Sequence, residues 1–105
     1  MYLADLNPRL GTERGKVRPV VIVQTDLLNN VHPSTIICPL TTNVRPQATI
    51  LRVHLKPGEA GLRRRSDVMV DQVRAIDTRR LIRRLGSLSP GTQARLRDSL
   101  FLVLS

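Results

Sequence analysis

Aromatic side chains are nearly missing from this 105-residue chain: Tyr2 and Phe101 are the only two, and there is no Trp. An aromatic core is therefore excluded, and the core has to be built from Val, Leu and Ile. Cysteine is equally scarce. Cys38 stands alone, which excludes an intrachain disulfide and leaves no His/Cys cluster at metal-ligand spacing. It lies in the apolar run Ile36-Ile37-Cys38, where a buried, inert thiol is expected. Acids are few and scattered, so a two-metal carboxylate site lacks support. No glycine-rich phosphate loop of Walker or Rossmann type occurs. No apolar run is long enough to span a membrane, and Met1-Tyr2-Leu3-Ala4-Asp5 has neither a basic n-region nor a long apolar segment. The expected compartment is the cytoplasm.

What the chain does have is positive charge. Its 17 Lys and Arg stand against 8 Asp and Glu, a net charge of +9, and only Lys16 and Lys56 of the seventeen are Lys. Arg presents a planar fork of donors that suits phosphate, where Lys offers a point charge. A GC-rich genome accounts for Arg over Lys equally well, but not for the surplus over acids. That surplus favours nucleic acid or another acidic partner. The length fits one domain, residues 1–105, small enough that a partner subunit would help to stabilise it.

Apolar patterning points to short strands ending in a helix. Tyr2 to Leu6 reads as a strand, followed by a polar loop to Lys16. Val17 to Thr25 reads as a central strand around the β-branched run Val20-Val21-Ile22-Val23. Ser34 to Thr42 is a second apolar strand, and Pro39 within it predicts an edge or a bulge. Thr49 to Leu55 alternates, with Leu51, Val53 and Leu55 on one face and Ile50, Arg52 and His54 on the other. After the turn Lys56 to Gly61, a strand around Val68 to Val70 is expected, continuing towards Ile76. Thr78 to Leu85 fits a helical turn followed by a strand. Ser89 is a good N-cap with Pro90 at the first helical position. Leu96, Leu100 and Val103 then recur at helical spacing, with Phe101 and Leu104 widening the stripe. Five to seven short strands with Gly/Pro turns and one terminal helix predict a small closed or half-closed barrel.

Two kinds of chemistry remain open on these residues. His32 and His54 form an acid–base pair for RNA cleavage only if the fold brings a turn and a strand together. The other kind lies at strand ends. Arg18 stands at the mouth of one strand, and Thr41, Thr42 and Asn43 end another. If those strands are neighbours, Arg18 and Thr41 converge on one phosphate. Arg neutralises the charge of a pentacoordinate phosphorane, and a Thr hydroxyl hydrogen-bonds its oxygens.

Ala4-Asp5-Leu6-Asn7-Pro8, Gly11-Thr12-Glu13 and Val17-Arg18-Pro19-Val20-Val21-Ile22-Val23-Gln24 resemble the N-terminal signature of the MazF/PemK toxin family. Pro39-Leu40-Thr41-Thr42-Asn43 resembles its second motif and Ser66 to Asp77 its third. Leu85-Gly86-Ser87-Leu88 and the terminal helix resemble its ending. The resemblance covers essentially the whole chain. It implies a mainly β (α+β) fold, a small SH3-like β-barrel with a C-terminal α-helix, acting as a homodimer. It implies a toxin that cuts single-stranded RNA without metal or cofactor, by attack of the 2′-hydroxyl on the adjacent phosphate, and that a MazE-like antitoxin neutralises. Arg18 matches the family's catalytic arginine and Thr41 its catalytic threonine. Thr12 and Glu13 match its Ser-Glu pair, with Thr replacing Ser. Ser66 and Gln72 match positions lining the RNA groove, and Lys16, Thr42 and Asn43 flank the catalytic pair as further RNA contacts. The chain departs from the pattern in three places. It lacks the few residues, often Arg-Gly-Asp or Arg-Gly-Glu, that usually precede the Tyr. Gly15-Lys16 replaces the common Gly-Gly, and Arg63-Arg64-Arg65 is unusually basic.

Two other classes compete. A non-catalytic gyrase poison of the CcdB kind shares the barrel, but acts through C-terminal residues and has no need of Arg18 and Thr41 at strand mouths. A basic RNA-binding module without activity predicts salt-sensitive binding and no products.

Overall fold

Among the described residues, the β-branched and leucine-rich runs form seven short strands, all paired antiparallel, and a helix follows the last of them. The computed structural model describes residues 1–6, 17–23 and 33–105. The strands are β1 (Tyr2–Asp5), β2 (Val17–Ile22), β3 (Ser34–Thr41), β4 (Arg52–Leu55), β5 (Ser66–Met69), β6 (Arg74–Asp77) and β7 (Leu81–Arg84); α1 spans Pro90–Leu104. The sheet order is β4-β5-β3-β2-β1-β7, with β6 also paired to β3. Among the described residues no ladder joins β4 to β7, so the sheet wraps without closing. The expected barrel is the half-closed one.

β3 is the hub. β2 pairs with its residues 37–39, β6 with 34–37, and β5 with 40–41. Alternate residues therefore bury on both faces. Val21, Cys38 and Leu40 join Val53, Leu55, Val68, Val70, Leu88 and Leu96 in the main core. Val20 and Ile37 join Ala4, Leu6 and Ile76 on the other side. Burial pushes the Cys38 thiol up to about 11, with the charge of Asp71 adding to the shift, as expected of an inert core cysteine.

Several expectations need correction. Pro39 is neither at an edge nor in a bulge: it is buried in the central strand and pairs with Val20. It falls at the handover between the β6 and β5 ladders, where a missing N–H interrupts least. The strand expected from Thr49 begins only at Arg52, leaving Ile50 and Leu51 exposed. The expected run from Val68 to Ile76 is broken by a 3₁₀ turn at Val70–Gln72, after which β6 pairs with the other half of β3. The stripe on α1 is narrower than the spacing implies. Leu96 is buried and Leu100 and Val103 pack on the core, but Phe101 and Leu104 face outward.

The start of α1 is held from two directions. The Ser89 side chain caps the helix by accepting from the Thr92 N–H at 3.3 Å, and Pro90 takes the first helical position. Glu59 accepts the Ser89 N–H at 2.9 Å. It reaches there because the turn carrying it packs backbone-to-backbone on residues 85–86. A Cβ at Gly61, which has φ +80°, would meet the Leu85 carbonyl oxygen at 2.8 Å, and one at Gly86 would meet Ala60 at 2.8 Å. The Ser89 N–H, more than any other group, holds the Glu59 carboxyl below its ordinary value. A carboxyl lowered on folding stabilises above its unfolded value, about 4.3, and that contribution is lost as pH falls through the lower folded value. Glu59→Gln is therefore expected to melt earlier than the parent chain near neutral pH, with the two thermal midpoints converging in strong acid. A gap independent of pH would show that the Glu59 charge is not what holds the turn.

Candidate functional site

β2 and β3 are neighbours, which meets the condition on which Arg18 and Thr41 come together. Their register pairs Val20 with Pro39; continued by two residues, it sets Arg18 opposite Thr41. Cross-strand partners project to the same face. The half-buried Arg18 donates through Nη1 to the Leu40 carbonyl at 3.4 Å, the residue before Thr41. A long bond to one nitrogen leaves most of the guanidinium fork for an anion. The Thr41 Oγ1 accepts the Asn43 N–H at 3.1 Å. That bond orients the hydroxyl and leaves its proton as a donor. The pair thus presents a fixed cation and an oriented O–H side by side at one sheet end, a combination suited to phosphate oxygens.

The row does not end at Thr41. Thr41 pairs with Asp67 on β5, and Asp67 with His54 on β4. Arg18, Thr41, Asp67 and His54 therefore form one rung across four strands. Asp67 is fully buried and accepts from three donors. His54 Nδ1 donates to its Oδ1 at 2.6 Å, while Oδ2 accepts from Arg52 Nη1 at 3.1 Å and from the Arg45 N–H at 2.9 Å. Arg52 Nη1 also donates to the Asn43 carbonyl at 3.2 Å. A single carboxylate thus ties the segment following Thr41 to β4 and β5. Reading single residues misses this network. The alternation placing Arg52 and His54 on one face is the available signal; what is missing is that β5 lays Asp67 against them.

The other expected site residues are dispersed. Thr42 and Asn43 are exposed beside Thr41. Gln72 is exposed on the 3₁₀ turn after β5. Ser66 is buried, and its hydroxyl donates to the Arg64 carbonyl at 3.2 Å, so it faces its own strand entry. Thr12, Glu13 and Lys16, and the partner histidine His32, lie outside the described residues. Among the described residues no three His, Cys, Asp or Glu side chains gather into a metal-binding group, and no helix is long and apolar enough to cross a membrane.

The chain is similar to known proteins over nearly its whole length. Residues 1–104 match the family model described as PemK-like, MazF-like toxin of type II toxin–antitoxin system. The chain is 30% identical over 105 residues to endoribonuclease EndoA of Bacillus subtilis, covering 100% of this chain and 90% of that protein. The fold superposes on the Mycobacterium tuberculosis toxin MazF-mt6 with a TM-score of 0.81, at 25% identity, covering 98% of this chain and 93% of the other. It also superposes on a MazE-MazF structure from Deinococcus radiodurans with a TM-score of 0.78, at 26% identity, covering 98% and 89%.

Proposed function

Because the chain belongs to the family of PemK-like, MazF-like toxins of type II toxin–antitoxin systems, we propose that it is an endoribonuclease cutting single-stranded RNA without a metal. The observation that carries this reading is the pairing of Arg18 and Thr41 on adjoining strand ends. The 2′-oxygen attacks the neighbouring phosphorus and the P–O5′ bond breaks. The products are a 2′,3′-cyclic phosphate and a 5′-hydroxyl; the 2′-hydroxyl gives up its proton and the leaving 5′-oxygen gains one. Arg18 offsets the charge gathering on the phosphorane, and the Thr41 hydroxyl donates to one of its oxygens. A guanidinium holds its proton tightly, so an arginine serves as an electrostatic clamp before it serves as a base. Thr42 and Asn43 flank the phosphate. Thr12, Glu13, Lys16 and Gln72 contact the rest of the RNA, a role that rests on the family resemblance; Ser66, buried and donating to the Arg64 carbonyl, does not.

The partners follow from charge and exposed surface. An acidic, MazE-like antitoxin segment lying on a surface of net charge +9 blocks RNA by occupying its groove. Phe101, Leu102 and Leu104, exposed by 76%, 61% and 69% on α1, are apolar surface that a second copy of the chain covers in a homodimer. The reaction takes place in the cytoplasm. The test is incubation of the purified protein with a long single-stranded RNA in EDTA. Discrete fragments bearing 5′-hydroxyl ends are expected. A folded protein that binds RNA in a salt-sensitive way and yields no products under any condition is instead the inactive binding module.

A further inference from the structure

At the far end of the rung from Arg18 and Thr41, at the outer edge of β4, the surface opens into a cavity of about 570 Å³. His54, Lys56, Arg65 and Arg95 line it together with Glu59 and Thr92. The charges there are unbalanced. Glu59, the one acid in this lining, accepts the Ser89 N–H at 2.9 Å and keeps its charge, which Arg95 helps to stabilise, so one acid faces three cations. Arg95 is steadied by donating to Thr92 Oγ1 at 3.1 Å. Among the described residues neither Lys56 nor Arg65 has an acidic partner. The His54 ring is fixed by its 2.6 Å bond to Asp67, and its buried Nε2 has no hydrogen-bond partner among the described residues. Three cations thus converge on a concave site backed by a ring in a set orientation. An arginine fork and a lysine together suit a tetrahedral anion better than a carboxylate, which has fewer oxygens to share.

We propose that this cavity is a second phosphate site, which takes a backbone phosphate of the RNA beyond the one cut between Arg18 and Thr41. The assignment of the anion to RNA rests on the nuclease reading; the anion site itself does not. Position favours the backbone. His54 stands two strands from Thr41 on one rung, roughly 10 Å away, within reach of an adjoining nucleotide of the same strand. Arg52 and Asp67 fill the space between and neutralise each other, so they leave the two ends as separate cationic stations. The second station makes binding depend on nucleotides outside the cleaved step.

The test compares the parent chain with Lys56→Ala/Arg65→Ala, whose replaced side chains are both exposed. Two readouts are used: NMR of the arginine and lysine side-chain nitrogens during titration with inorganic phosphate, and RNA affinity against salt. Saturable shifts at Lys56, Arg65 and Arg95 are expected in the parent chain, and none at Arg95 in the variant. The slope of log affinity against log salt should shrink by about 0.7 for each phosphate that the variant no longer neutralises. KM for a long RNA should rise with kcat retained, because these side chains do not touch the reacting phosphate. Phosphate-dependent shifts with an unchanged RNA slope would keep the anion site but assign it to free phosphate. No saturable shift together with an unchanged slope overturns the proposal. A chain that shows both effects yet never cleaves RNA leaves the site standing and removes the nuclease reading.

Discussion

Arg18→Ala is expected to lower the rate of RNA cleavage by about 10²–10³-fold or more, with the fold and most of the RNA affinity retained. The size follows from what the guanidinium does. Removing one preorganised donor to a developing oxyanion typically costs that much in kcat. Arg18 is half-buried and brings a full charge as well as its donors. The loss falls on kcat because the extra negative charge exists only in the phosphorane; ground-state binding is spread over many other cations on a chain of net charge +9. The structural cost is small, since the bond given up is a long one, 3.4 Å to the Leu40 carbonyl. Single-turnover cleavage, with affinity measured separately by fluorescence anisotropy, separates the two quantities. Arg18→Lys keeps the charge and loses the fork, so it should fall between the parent chain and Arg18→Ala. Full activity of Arg18→Ala removes this residue from the reaction and turns attention to the other cations of the strand ends.

The fold was legible wherever one residue type imposes one geometry. The β-branched run Val20 to Val23 marked a central strand, and Ser89-Pro90 marked the helix start, because capping and a fixed proline φ act locally. Pro39 misled for the opposite reason. Whether a missing N–H is tolerated depends on which strands flank it, and β3 changes partners at that point from β6 to β5. The expected strand through Ile76 failed likewise: the switch of partner needs the turn at Val70–Gln72, which hydrophobicity alone does not encode. Arg18 and Thr41 were singled out by the resemblance to the family motifs together with their places at strand ends, and the register of β2 on β3 sets them side by side. Asp67 was not legible. A lone Asp inside Ser66-Asp67-Val68-Met69 looks like a flaw in an apolar strand. Only pairing on both sides shows that it anchors Arg45, Arg52 and His54.

The second large effect is on stability, and it belongs to that carboxylate. Asp67→Ala is expected to destabilise the domain by about 3–5 kcal/mol, the usual cost of deleting one partner of a buried ion pair. Asp67 is 0% exposed and Arg52 only 14%, so the guanidinium left behind has little access to water. The Arg45 N–H and the His54 Nδ1–H lose their acceptor in the same step. A small domain has a total stability of about 5–15 kcal/mol, so the thermal midpoint should drop on the order of 15 °C or more. Asp67→Asn separates charge from hydrogen bonding. One amide oxygen can still accept from Arg45 and Arg52, so this variant should recover part of the loss and remain folded enough to assay. Its cleavage should then be weaker than the parent's: the segment after Thr41, held through Arg45 and through Arg52 on the Asn43 carbonyl, loses part of its anchor. Adding His54→Ala to Asp67→Asn tests the network directly. Residues in one network couple, so the two losses should sum to less than additive, whereas independent sites add within about 0.5 kcal/mol. An Asp67→Ala chain that melts within about 1 kcal/mol of the parent would mean that solvent reaches Arg52 after all and that Asp67 is not the anchor of this end of the sheet.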